Sequence, residues 1–207
     1  SAAADVYKRQ EYAISDTIGG TNVLSWTDNS TITSVTKTGL TLTNGTTYYI
    51  SVRATDNVGN VSTVTTADGI TVDTHSPVLE TPFEGSLTAD RDYQNSATTL
   101  IVSWSGSDTA SGIAMYEYAI NFFFSGIPLS LVPWTSAETA TADTATGLSL
   151  VEGTTYYLSV RATDVAGNIS SVISADGITI DLTDPIAGSA IDGSYTDNSY
   201  TGSDSTL

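Results

Sequence analysis

The sequence predicts an all-β chain of tandem β-sandwiches, and three observations predict it. The stretch GTTYYISVRATDNVGN at 45–60 returns as GTTYYLSVRATDVAGN at 153–168. Apolar residues alternate with polar ones over short runs, and clusters of Gly, Asp, Asn and Ser separate those runs. A repeat of this kind marks stacked structural units. Alternation turns one face of each run inward, and the clusters supply tight turns and positive φ. A sheet with one apolar face buries it against a second layer, and where almost nothing in the pattern is helical that layer is another sheet.

The period sets the boundaries. Arg53 matches Arg161, Trp26 matches Trp134, Asp68 matches Asp176 and Pro77 matches Pro185, each at an offset of 108 positions. Upstream, EYAI at 11–14 matches EYAI at 117–120, an offset of 106, so the second unit carries two extra residues, expected in a loop. PVLETPFEGS from Pro77 matches PIAGSAIDGS from Pro185. The expected organisation is an incomplete repeat at 11–77 without its first two strands, a complete repeat at 78–185 and the start of a third at 186–207. Residues 1–10, SAAADVYKRQ, match nothing later. DVYKRQ is also what GATGTGTATAAGAGACAG encodes, which resembles the mosaic-end adapter of transposase-based sequencing libraries. Residues 1–10 are therefore expected to be an assembly artefact, or else a disordered arm.

Each strand follows from alternation. Leu100, Val102 and Trp104 point inward from one run, Tyr116, Tyr118 and Ile120 from the next, and Tyr156, Leu158, Val160 and Ala162 complete the layer. Turns are expected at GSDTASG (106–112) and DVAGN (164–168). In the first unit Tyr12, Ile14, Leu42, Tyr48, Ile50 and Val52 would lose part of their cover, leaving an apolar face that the short third unit cannot repair.

Trp104 on an early strand, Tyr116 after GI at 112–113, and the run L-x-x-G-T-x-Y from Leu150 to Tyr156 together resemble a fibronectin type III (immunoglobulin-like) β-sandwich. The endings ADGITVDTHSP (67–77) and ADGITIDLTDP (175–185) are similar to tandem Ig-like repeats of large bacterial surface proteins. The resemblance implies Trp104 on strand B, Tyr116 on C, and Tyr156 at the start of F with its hydroxyl tied to upstream backbone. The family's usual proline is Asn44 in unit one and Glu152 in unit two.

Composition narrows the partners. Among 207 residues, 23 are acidic and 6 basic, giving a net charge of −17, so nucleic acid and anionic membranes are not expected to bind. Cysteine is absent, which excludes disulfides and thiolate metal sites. No apolar run approaches the ~18 residues that span a bilayer; NFFF at 121–124 is too short. The single histidine, His75, lies in the linker and is replaced by Thr183 in the next copy, so a catalytic triad is not expected.

Two candidate sites remain. Tyr157 and Arg161 point outward from one strand beside Glu117 on the next: either an ion pair roofed by tyrosine or an aromatic sugar-binding platform. Asp73 closes unit one, Asp108 lies between the expected strands B and C, and Asp164 and Asn168 lie between F and G. Turn chemistry accounts for these letters, and oxygen ligands from several loops also suit calcium at the repeat junction. The function expected is a stalk, spacer or adhesion repeat of an extracellular, bacterial tandem-repeat protein, partnered by neighbouring repeats and by a glycan or protein ligand. The alternative is a carbohydrate- or matrix-binding accessory module of a secreted hydrolase.

Overall fold

The computed structural model describes residues 7–86 and 88–188, and all of its regular structure is β. Unit one comprises β1 (Tyr7–Ser15), β2 (Leu24–Asp28), β3 (Thr47–Asp56), β4 (Thr65–Thr66) and β5 (Ile70–Thr71). Unit two comprises β6 (Val78–Leu79), β7 (Phe83–Glu84), β8 (Tyr93–Gln94), β9 (Thr99–Ser103), β10 (Gly106–Ser107), β11 (Ile113–Phe124), β12 (Ile127–Glu138), β13 (Ala142–Thr146), β14 (Thr155–Asp164), β15 (Ile173–Ser174) and β16 (Ile178–Ile180).

Unit two is a fibronectin type III-like sandwich. One sheet runs β13-β9-β7, the E-B-A layer; the other runs β12-β11-β14-β16-β8, the C′-C-F-G layer with β8 added at its edge. The inward residues read from alternation form one core, in which Leu100, Val102, Ile120, Leu158 and Val160 are fully buried. Each such side chain contributes roughly 1.5–3 kcal/mol by leaving water. Trp104 stacks on Tyr118 at 5.4 Å and donates from Nε1 to the Ala140 carbonyl, so its polar edge is satisfied inside the core. The corner tyrosine is in place twice: Val151 N donates to the Tyr156 hydroxyl, and Thr43 N donates to the Tyr48 hydroxyl.

Three features depart from the sequence reading. Residues 7–10, assigned to an artefact or a disordered arm, continue β1, with Tyr7 opposite Asp56 and Gln10 opposite Ala54. Main-chain pairing asks nothing of the side chains, so the ladder extends whatever those residues are; residues 1–6 lie outside the described residues. The two extra residues of unit two lengthen a hairpin instead of a loop. Ser125 and Gly126 at φ 52° and 80° form a two-residue turn that lets β11 and β12 pair to their tip. The first strand of the sandwich is split: β7 pairs with β9, then β8 crosses to run parallel with β16.

In unit one the described strands form a single sheet, β2-β1-β3-β4, with β5 also on β3. Of the six residues expected to lose cover, Tyr12, Ile14 and Tyr48 are nonetheless buried, packed with Val23, Leu24, Leu40 and Val72, whereas Leu42 is exposed and Ile50 and Val52 are 46% and 44% exposed where their counterparts Leu158 and Val160 are fully buried. Residues 34–38, the counterpart of β13, adopt no regular structure. Of the expected third unit, residues 189–207 lie outside the described residues.

Candidate functional site

The junction gathers the acidic residues that the sequence singled out. Asp73, Asp108 and Asp164 each bring one carboxylate oxygen within 4.8 Å of the others. Asp73 comes from the end of unit one, Asp108 from the β10–β11 turn, and Asp164 from the end of β14. Backbone amides hold them. Asp108 Oδ2 accepts from Gly112 N at 2.8 Å and from Ser111 N and Ala110 N, and these bonds, with Gly112 foremost, hold its carboxyl below the usual range. Asp164 accepts from Asn168 N and Nδ2, both at 2.8 Å.

Asp56 and Asn60 make the same pair of bonds in unit one, at 2.8 and 2.7 Å, where no linker carboxylate joins them among the described residues. The D-x-x-G-N turn thus stands on its own hydrogen bonds. What the junction adds is Asp73: its Oδ2 accepts from Ser111 N at 3.0 Å, and its main-chain carbonyl accepts from Asn168 Nδ2 at 3.2 Å. The four residues proposed from sequence are brought together. Three carboxylates at this spacing suit calcium's preference for oxygen ligands.

A second set of bonds at the junction was not anticipated. Asn44 and Glu152 stand where the family resemblance expects proline, and each reaches into the linker that follows its own unit. Asn44 Oδ1 accepts from Thr74 N at 2.6 Å and from Thr74 Oγ1; Glu152 Oε2 accepts from Leu182 N at 2.6 Å and its Oε1 from Thr183 Oγ1. The linker turns match as well, with His75 N donating to Asp73 and Thr183 N to Asp181, both at 3.0 Å. The signal was present in sequence: an acceptor replaces proline in both copies.

The outward face differs from its expected form. Arg161 Nε donates to Glu117 Oε2 at 2.7 Å, as paired, but the ring over the guanidinium is Trp134, 4.6 Å away. Unit one repeats this with Arg53, Glu11 and Trp26, at 2.8 and 4.3 Å. Tyr157 instead lies over Gly177, where a Cβ would come within 2.7 Å of its ring, and meets Phe123 edge-on at 5.6 Å. Tyr49 covers Gly69 in the same way. The tyrosine therefore packs on a glycine of its own sheet, and the joint recurrence of Trp26/Trp134 with Arg53/Arg161 was the overlooked sign of the true roof.

Sequence reasoning also missed Glu84. This side chain is fully buried on β7 and crosses to the other sheet, where Oε1 accepts from Leu158 N at 2.7 Å and Oε2 from Gly177 N at 3.3 Å. Gly177, at φ 104°, interrupts the pairing of β14 between β15 and β16, and the carboxylate caps the amides left at that gap. Burial pushes its pKa up to about 7, with Asp90 and Asp176 adding to the rise and the two amides opposing it. EGS at 84–86 returning as DGS at 192–194 was the available signal.

No family model matches the chain. It is 34% identical over 151 residues to Exoglucanase B of Cellulomonas fimi and 30% identical over 167 residues to Chitinase A1 of Niallia circulans. These alignments take 72% and 79% of this chain but only 12% and 22% of the two enzymes. Among solved structures, the chicken CNTN1 FN1-FN3 domains align over 80% of this chain and 55% of theirs, at 17% identity and a TM-score of 0.39.

Proposed function

We propose that this chain is a non-catalytic spacer within a larger extracellular protein, and that the larger protein is a polysaccharide hydrolase to which the repeats are accessory. The observation that carries the spacer reading is the doubly held linker: the same hydrogen bonds from Asn44 and Glu152 fix the chain leaving each unit, and Asp73 ties the first linker to Ser111 and Asn168 of the next sandwich. A joint held at several points keeps adjacent units at a set distance, which is what a spacer requires, and the acidic surface keeps units soluble and apart. The two polysaccharide-acting relatives, of which the chain spans 12% and 22%, favour the accessory reading over an adhesion stalk.

Small-angle scattering on the whole chain tests the joint. Asn44→Ala with Asp73→Ala is expected to broaden the distribution of dimensions while unit two keeps its melting temperature; an unchanged distribution would remove the basis for a held linker. Sequencing outward from this segment tests the larger assignment. A glycoside hydrolase domain in the same reading frame supports the accessory reading, and further repeats leading to a cell-wall or membrane anchor would return it to a surface stalk.

A further inference from the structure

We propose that the tip of the β11–β12 hairpin in unit two is a docking surface for an uncharged, insoluble polysaccharide, with Phe123, Phe124, Ile127 and Leu129 as its anchors; the choice of partner rests on the accessory reading above. The tip stands clear of its sheet. β14 pairs with β11 only as far as Phe122 opposite Tyr156, whereas β11 and β12 pair on to Phe124 opposite Ile127. Register puts Phe124, Ile127 and Leu129 on one side of the projecting ribbon and Phe123 with Pro128 on the other. The ribbon is thus apolar on both sides. Phe124 is 67% exposed, Ile127 61% and Phe123 55%. Its base is braced, with Phe122 against Tyr156 at 5.5 Å and Phe123 edge-on to Tyr157. An exposed apolar patch of this kind marks an interaction site.

Unit one shows that the sheet does not need such a tip. Its β1–β2 connection is two residues shorter and closes on its own polar groups: Ser15 Oγ donates to Asn22 Oδ1 at 2.6 Å, Asn22 Nδ2 to Asp16 Oδ1 at 2.7 Å, and Gly20 N to the Thr17 carbonyl at 3.0 Å, with Ile18 as its one exposed large apolar side chain. Charge then selects the partner. No Asp, Glu, Lys or Arg stands between Glu117 and Glu138, in a chain of net charge −17. A charged surface laid against this ribbon would lose its hydration and gain no counter-charge. Strand addition by a second copy is blunted by Pro128 and Pro133, which remove amides from β12 at the sheet edge, and by the like charge of the copies. A neutral polysaccharide meets both conditions. Its pyranose rings offer C–H faces to the phenyl and aliphatic groups, and its hydroxyls meet Asn121 and Ser130, opposite each other on the same ribbon, and Ser125 at the turn.

The test is sedimentation of the whole chain with microcrystalline cellulose and with powdered chitin, the unbound fraction being measured against concentration. Binding to at least one polymer is expected. Phe124→Ser with Ile127→Ser should weaken it about tenfold or more, Ile127→Ser alone should weaken it less, and Trp134→Ala should leave it unchanged. Both substituted side chains are exposed, so the variants should melt with the parent, which separates a lost contact from a lost fold. A parent chain that binds neither polymer overturns the proposal, as does binding that survives the double substitution. Equal loss in Trp134→Ala would move the contact to the outward Trp–Arg face and overturn it as well. Self-association in ultracentrifugation, or partition onto phosphatidylcholine vesicles, that is abolished by the double substitution while neither polymer binds would give the tip to a second copy or to lipid. The accessory reading is judged separately: a hydrolase domain in the same reading frame, with no polymer binding here, leaves that reading standing and this one overturned.

Discussion

A single buried carboxylate is the largest titrating feature of unit two. Glu84 has an ordinary value of 4.5 and is pushed up to about 7 in the fold, chiefly by burial. Between those values the folded state holds a proton that the unfolded state has released, so the stability contributed by Glu84 is fully present below about pH 4.5 and is lost as pH rises toward 7, whereas Asp108, held below the usual range by its amide bonds, acts in the opposite direction at low pH. Asp176, raised through its hydrogen bond with Asp90, acts in the same direction as Glu84. Thermal melts across this range should fall with rising pH, and Glu84→Gln should flatten the slope by removing the titration. Equal slopes in the two proteins would mean that the acidic surface, and not Glu84, sets the response. Glu84→Ala is expected to cost about 1–3 kcal/mol, because the Leu158 amide is left buried without an acceptor. Tyr156→Phe, which removes only the acceptor of Val151 N, should cost about 1 kcal/mol in urea titration.

Among elements, the strands were legible where alternation is strong. Ten inward residues from Leu100 to Ala162 were read from period two, and all are buried, because one face of each strand had nowhere else to go. What stayed hidden rests on contacts between distant segments. Trp134 over Arg161 joins β12 to β14, and Glu84 reaches 74 positions to Leu158; neither leaves a local pattern. The junction was half legible: D-x-x-G-N announced its turn, while the bonds from Asn44 and Glu152 looked like mere departures from a proline motif. The outward cation–π pair is the element whose removal should matter least. Trp134→Ala is expected to lower stability by about 0.5–1 kcal/mol, since the residue is 39% exposed. Glycan-array binding that is present in the whole chain and lost in Tyr157→Ala or Trp134→Ala would instead make this face a sugar platform.

For the whole molecule, the two units should respond differently to attack. Limited proteolysis is expected to leave a resistant core near 78–185, cutting first in the 29–46 region that spans the open cleft of unit one; equal resistance of 11–77 would contradict the exposure of Ile50 and Val52. The junction carboxylates offer a separate test. An ion held by Asp73, Asp108 and Asp164 would stabilise the folded chain by mass action, about 2.7 kcal/mol at a hundredfold excess over its dissociation constant. A melting midpoint that is the same in calcium and in chelator would leave those residues as turn formers alone.

The crossing of β8 to lie parallel with β16 has a mechanical consequence. In the proposed spacer role the chain is pulled at its two ends, and in unit two tension would enter near Val78 and leave beyond Ile180. β8 and β16 run the same way, and opposed forces slide one along the other. Thr179 N to Asp92 O at 2.8 Å and Asp181 N to Gln94 O at 2.9 Å then carry the load together, whereas a hairpin pulled open from its ends surrenders its bonds one after another. The short edge strand works as a shear latch beside the exit from the domain. Forced unfolding follows the unfolding rate and not the equilibrium stability, so Gln94→Pro should lower the rupture force of unit two in single-molecule pulling by more than its effect on the melting temperature implies.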